Sequence, residues 1–206
     1  MKVSLVQLNI AWEDKETNLR RAALFIEKAA RTGCDIAVFP EMFSTGCSNN
    51  IQKIAEPEGG ATDKFLAEMA KNFSINIIAG FPLQAGTNSK ARNSAAVYDT
   101  QGILIARFVK LHPFSLSGED QFYSPGESTI TFSVAGVPAS IFICYDLRFP
   151  EVFRKVANDI QTVFVIANWP ASRIPHWVAL LQARAIENQC FVIGVNRTGC
   201  DGRGIT

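Results

Sequence analysis

Two hydrophobic periods alternate along this chain, and their order predicts its elements. Residues 3–10, VSLVQLNI, read as a buried strand. Residues 14–32 come next, with Leu19, Ala23, Ile26 and Ala30 on one face at helical spacing and Gly33 at the helix end. The short apolar run from Ile36 to Phe39 is a strand halted by Pro40. Thr62 is the expected N-cap of a second helix carrying Phe65, Leu66, Met69 and Phe73, and INIIAGF returns as a strand.

The middle of the chain changes character. NSAAVYDTQGILIARFVK predicts two strands around an Asp-Thr-Gln-Gly turn, and TITFSVAGVPASIFIC a second hairpin turning near Ala135-Gly136. Between them, residues 111–129 form a long loop rich in Ser, Gly, Pro and acids, of the kind that often carries function. A helix from Pro150 to about Ala157, the strand QTVFVIAN, a helix from Pro175 to about Gln189 and the strand CFVIGVN complete the pattern. Helix–strand alternation combined with hairpins predicts layered mixed sheets, α/β or α+β. The chain reads as one domain over residues 1–206, without repeat, linker or low-complexity tract. It stops in the Gly-rich stretch DGRGIT with no closing element, so a missing C-terminal part is expected.

Composition narrows the function classes. A formal net charge of +1, with scattered Lys and Arg, argues against a nucleic-acid surface. No apolar stretch approaches the roughly 20 residues that span a bilayer. Gln7 and Asn9 interrupt the first apolar segment, which reads as a strand rather than a signal peptide, so the cytoplasm is the expected compartment. Five dispersed cysteines, none in a C-x-x-C pair, fit reduced thiols. With only two histidines besides, they argue against a structural zinc site.

Chemistry gathers where strands stop. In IFICYDLRFPE, Cys144 ends an apolar run and an elbow leads to Pro150, a residue suited to the first position of a helix. The helix N-terminus and Arg148 are expected to lower the thiol pKa. A lone cysteine at a strand end is more often structural, so partners decide the matter. Two candidate bases are open: His112, the commoner type, and Glu41, delivered directly after the strand IAVF and Pro40. Lys110 ends another strand, as a surface residue or as an ammonium facing a cleft that stabilises an oxyanion. Glu119 is either a further site carboxylate or part of a solvated acidic tip with Asp120.

Glu41 in FPEMF, Lys110 in VKLHPF and Cys144 in ICYDLRFPE, each after an apolar strand, resemble the nitrilase, or carbon–nitrogen hydrolase, superfamily. The downstream block ANWPASRIPHWVALLQARAIENQCFVIGVNRTGCDG resembles it closely, and the likeness covers essentially the whole chain. The resemblance implies a four-layer αββα sandwich that pairs into a homodimer. It implies Glu41 as general base, Lys110 as oxyanion stabiliser, Cys144 as nucleophile and Glu119 as second glutamate, with no metal or organic cofactor. Among the branches it looks most like bacterial omega-amidases, which remove the terminal amide of 2-oxoacid amides such as 2-oxoglutaramate.

In that reading a small amide is the partner, and the backbone N–H of Tyr145 joins Lys110 at the oxyanion. Arg173 is the candidate for the distal carboxylate of the substrate. Phe43, Tyr123 and Trp169 are candidate pocket walls, and Arg184 and Glu187 an internal or inter-subunit ion pair. The rivals are a carbon–nitrogen hydrolase acting on nitriles, N-carbamoyl compounds or simple amides, a Cys–His hydrolase using His112, and a non-catalytic member that binds a metabolite.

Overall fold

The computed structural model describes residues 1–86 and 89–206. In chain order the elements are β1 (Val3–Leu5), α1 (Lys15–Arg31), β2 (Ile36–Val38), α2 (Ile51–Ile54), α3 (Ala61–Phe73), β3 (Asn76–Gln84), β4 (Ala91–Tyr98) and β5 (Leu104–Val109). Then come α4 (Glu119–Phe122), β6 (Phe132–Val134), β7 (Val137–Ile143), α5 (Pro150–Val156), β8 (Thr162–Ala167), α6 (Ile174–Asn188) and β9 (Phe191–Asn196). The first sheet has the order β1-β2-β3-β4-β5 and the second β6-β7-β8-β9. Each sheet is parallel where a helix connects its strands and antiparallel where a hairpin does.

Side-chain alternation explains how the sheets pack. Ile36, Val38, Ile78, Ala95 and Val97 of the first sheet share one core with Ile141, Ile143, Val163 and Val165 of the second. The opposite face of the first sheet, with Ala37, Ile77, Ala79 and Ala96, is buried under Ala22, Ile26 and Ala29 of α1 and Leu66 and Ala70 of α3. Phe153 and Val156 of α5 and Trp177 of α6 belong to the core of the second sheet. No helix of the described residues is long and apolar enough to cross a membrane.

Several expected boundaries shift, each for a physical reason. The first strand ends at Leu5 rather than near residue 10. Its register pairs Leu5 with Val38, so continuing it would set Gln7 opposite Pro40, which has no N–H to donate. The stripe that α1 buries runs through Asn18, Ala22, Ile26 and Ala29; Ile26 is as expected, and the other three stand one position before Leu19, Ala23 and Ala30. Asn18 is accepted there because its amide exchanges hydrogen bonds with Ala11 and donates to the Ser44 carbonyl at 2.9 Å. Thr62 is not the N-cap of α3; Gly60 is. The Glu56 carboxylate accepts from the Thr62 N–H at 2.9 Å and so caps the helix from outside. Both hairpins turn where the sequence placed them. Ala135 and Gly136 have φ of 49° and 74°, as a two-residue hairpin turn requires. Arg184 and Glu187 form an ion pair within α6 at 2.9 Å.

Phe142 in β7 stands edge-on to Phe108 of β5 at 5.7 Å between centroids and touches Phe153 of α5 at 4.3 Å. Truncating this fully buried ring removes contacts in two directions at once. Phe142→Ala is expected to lower unfolding stability by about 3–5 kcal/mol, read by urea denaturation.

Candidate active site

The C-terminal ends of β2, β5, β7 and β8 deliver their next residues to one cavity of about 120 Å³. Glu41 follows β2 through Pro40, Lys110 follows β5, Cys144 follows β7, and Asn168 and Trp169 follow β8. All of them line the cavity, as do Glu119, Tyr123, Tyr145 and Arg173.

Phe43 is the exception among the expected wall residues. It is fully buried and packs on Phe39 at 5.2 Å in the core under α1 and α3. Met42 adopts φ of 45°, and the Phe43 N–H then donates to the Gly80 carbonyl at 2.8 Å, which returns that ring beneath the sheet. Met42 lines the cavity in its place.

Lys110 sits at the centre of the site, 2 % exposed. Its Nζ donates to Glu41 Oε1 at 3.0 Å and to Glu119 Oε1 and Oε2 at 3.1 and 2.8 Å. Burial alone would lower its pKa, but the Glu41 and Glu119 carboxylates outweigh burial and hold it well above its ordinary range. Glu119 is the counterpart. Burial pushes its carboxyl up, yet Lys110, the Asn93 amide and the Phe114 N–H together hold it below its ordinary value.

Two asparagines complete the cluster. Asn93 Nδ2 donates to Glu41 Oε1 at 2.7 Å and to Glu119 Oε1 at 2.8 Å. The Asn168 N–H donates to Glu41 Oε2 at 2.9 Å, and its side-chain amide donates to the Glu41 carbonyl. Sequence reasoning passed over both. The available signal at Asn93 was weak, a strand-averse residue between Arg92 and Ser94 at the polar start of β4. Cys47, a second thiol in the cavity wall, was likewise unassigned.

Cys144 holds φ of 47°, a left-handed conformation that turns the chain sharply out of β7 into the 3-10 turn Cys144–Arg148. Asp146 clamps this elbow. It accepts from the Ile143 N–H at 3.1 Å and the His112 N–H at 2.9 Å, and meets His112 Nδ1 at 2.8 Å. The His112 ring also stacks on Phe149 at 3.7 Å. His112 is therefore engaged in the elbow and does not line the cavity, whereas Glu41 does.

The thiol also departs from expectation. Burial pushes the Cys144 pKa well above its ordinary value, and the Glu41 carboxylate pushes it further against the pull of Lys110. The helix that was to acidify it begins only at Pro150, and the Arg148 guanidinium lies over the Trp169 ring at 5.1 Å. Raised in this way by burial first, the resting thiol keeps its proton near neutral pH. Among the described residues no group of three or more His, Cys, Asp or Glu side chains is arranged to hold a metal ion.

A protonated thiol on a strained elbow, facing a carboxylate that can take its proton and an ammonium that can meet an anion, is the equipment of a cysteine hydrolase. Comparison with known proteins agrees. The family model described as Carbon-nitrogen hydrolase matches residues 2–206, and the chain belongs to that family. It is a cysteine-dependent amidase. It is 37 % identical over 199 residues to the 2-oxoglutaramate amidase of Bacillus subtilis (strain 168), covering 96 % of this chain and 76 % of that protein. It is 35 % identical over 205 residues to Omega-amidase YafV of Escherichia coli (strain K12), covering 99 % and 77 %. The crystal structure of XC1258 from Xanthomonas campestris, a CN-hydrolase superfamily protein with an arsenic adduct in its active site, superposes with a TM-score of 0.91. It is 31 % identical, and the match covers 98 % of this chain and 78 % of that one.

Gly80 lets the Glu41 backbone approach β3. A Cβ there would fall 2.7 Å from Ile166 Cδ1 and 2.8 Å from Glu41 Cα. Gly80→Ala is expected to lower stability by about 1–3 kcal/mol and to reduce kcat with the displaced carboxylate, measured by denaturation and steady-state assay. The lowered pKa of Glu119 has a signed consequence. Its stabilising contribution is present above the ordinary glutamate value of 4.5 and is lost as pH falls through the depressed folded value. Thermal melts at falling pH are expected to show this acid loss in the native protein and a shallower one in Glu119→Gln.

Proposed function

We propose that this protein is an omega-amidase, hydrolysing the terminal carboxamide of a small 2-oxoacid such as 2-oxoglutaramate through a cysteine thioester with release of ammonia. The observation that carries the chemistry is the shared cavity in which Cys144 faces the Glu41–Lys110–Glu119 cluster. The names of its relatives support the substrate class.

The steps are set by the groups present. Glu41 takes the Cys144 proton as sulfur attacks the amide carbon. The oxyanion is met by the Lys110 ammonium and by the Tyr145 N–H, which lies in the first turn of the 3-10 segment, where an N–H has no intrahelical acceptor. Such a donor contributes about 3–4 kcal/mol where water is excluded. Protonated Glu41 returns its proton to the leaving nitrogen, ammonia departs, and a thioester remains. Water then attacks that carbonyl while Glu41 accepts its proton, and the sulfur leaves as the thiol is restored. Glu119 holds Lys110 throughout.

Arg173 receives the distal carboxylate of the substrate. Its guanidinium lies over the Phe114 ring at 5.7 Å on the cavity wall, and none of the ion pairs among the described residues uses it. Trp169 and Tyr123 form apolar wall around the carbon chain. The wider reading is one carbon–nitrogen hydrolase domain over residues 1–206, a four-layer αββα sandwich acting as a cytoplasmic homodimer.

A coupled ammonia assay tests the proposal with 2-oxoglutaramate, glutamine and an aliphatic nitrile. The 2-oxoacid amide is expected to be turned over best, Cys144→Ala to abolish turnover, and Glu41→Gln to lower kcat by roughly 10²–10⁴-fold. Arg173→Met is expected to raise KM for 2-oxoglutaramate by about tenfold with kcat largely kept. Equal turnover of neutral amides, or faster nitrile hydrolysis, would overturn the substrate assignment.

A further inference from the structure

We infer that Asn93 is a positioning residue for this reaction, assigning Glu41 Oε2 as the oxygen that receives the thiol proton. The inference rests on the cysteine–glutamate chemistry proposed for this site and adds a residue to it. Asn93 is 1 % exposed in β4, paired across the ladder with Pro82. Its carbonyl accepts the Lys110 N–H at 2.9 Å, so it holds the backbone of the lysine whose ammonium its two carboxylate partners hold.

The amide of Asn93 is used in one direction only. Nδ2 has two hydrogens and spends them on Glu41 Oε1 and Glu119 Oε1. Oδ1 is buried and has no hydrogen-bond partner. The flipped amide would aim that oxygen at two carboxylates, so the glutamates select the orientation that leaves Oδ1 orphaned. A core position chosen only for shape would not need a buried amide with an unanswered oxygen.

What this achieves is a division of labour within one carboxylate. Two carboxylates that face each other tend to share a proton between them. Here the facing oxygens, Glu41 Oε1 and Glu119 Oε1, are each occupied by Asn93 and by Lys110. No proton can lodge between them. Glu41 Oε2 accepts only the Asn168 N–H and keeps a lone pair free for the thiol proton. Without the Asn93 donor only Lys110 Nζ holds the two Oε1 atoms, so a proton is taken up between them more readily and Glu41 is a weaker base for the thiol.

Asn93→Asp keeps the shape and replaces the donor by an acceptor; Asn93→Ala removes both. Two readouts are compared with the parent protein in variants whose circular dichroism and melting are cooperative. One is kcat/KM for amide hydrolysis against pH. The other is the rate of Cys144 alkylation by iodoacetamide against pH, which needs no amide substrate. The acid limb of both profiles is expected to move up by about one pH unit in either variant, as the carboxylate pair holds its proton more tightly. Near neutral pH, kcat is expected to fall by roughly 10–100-fold, more in Asn93→Asp, with KM within about threefold of the parent. A folded Asn93→Asp with the parent's rate and acid limb overturns the inference. So does an Asn93→Ala that loses rate while both limbs stay in place, since that is the signature of packing alone. Should Asn93→Asp not fold, Asn93→Ser replaces it. Its single hydroxyl donor is expected to give limbs between those of parent and Ala, and limbs identical to those of Ala overturn the inference. Should 2-oxoacid amides prove not to be substrates, the alkylation profile still decides the role of Asn93.

Discussion

The site depends on a lysine ammonium buried between two carboxylates. Lys110 with Glu41 and Glu119 is an arrangement that water would dissolve and that the interior makes obligatory. Removing Lys110 would leave two buried carboxylates without a counter-charge, a loss of about 3–5 kcal/mol. Such a cluster is therefore poor use of a core position if stability is the only end. Its chemical use is clearer. In the proposed reaction it holds a cation where an amide oxygen becomes negative, and a carboxylate beside a thiol whose proton must leave. Burial first, and the Glu41 carboxylate second, hold that proton on sulfur in the resting site.

The fold serves this cluster by bringing strand ends together. β2 and β5 belong to one sheet and β7 and β8 to the other, and the two sheets share a core. The residue after each strand thus arrives at the same end of that core, from positions up to 127 residues apart in the case of Glu41 and Asn168. The elbow at Cys144 is held by a second network, in which Asp146 ties the end of β7 to His112. One network sets the acid–base groups and the other sets the nucleophile, and the cavity lies between them.

The parts of the site that were legible in the sequence are those in which chemistry follows an apolar run. Lys110 and Cys144 stand directly after a strand and Glu41 within three residues of one, and hydrophobic periodicity finds strand ends. Asn93 lies within β4 between Arg92 and Ser94, and sequence does not tell which of these polar side chains points inward, or that two distant glutamates await it. Phe43 was misplaced because one residue, Met42, takes a positive φ and turns the chain after it back toward the core. The first strand was overextended because its limit is set by Pro40 on a neighbour, through a register that only the paired structure reveals. The thiol was expected to be acidic from its neighbours in sequence, whereas burial and neighbours in space decide its charge.

The protonated resting thiol is the point on which this account is most exposed. Ultraviolet thiolate absorbance, titrated from pH 5 to about 9 in the parent protein and in Cys144→Ala, isolates this sulfur by difference. The account predicts no Cys144-dependent thiolate band over that range. A band that rises near neutral pH and vanishes in Cys144→Ala would show a preformed thiolate, and would contradict a mechanism in which Glu41 takes the proton during attack.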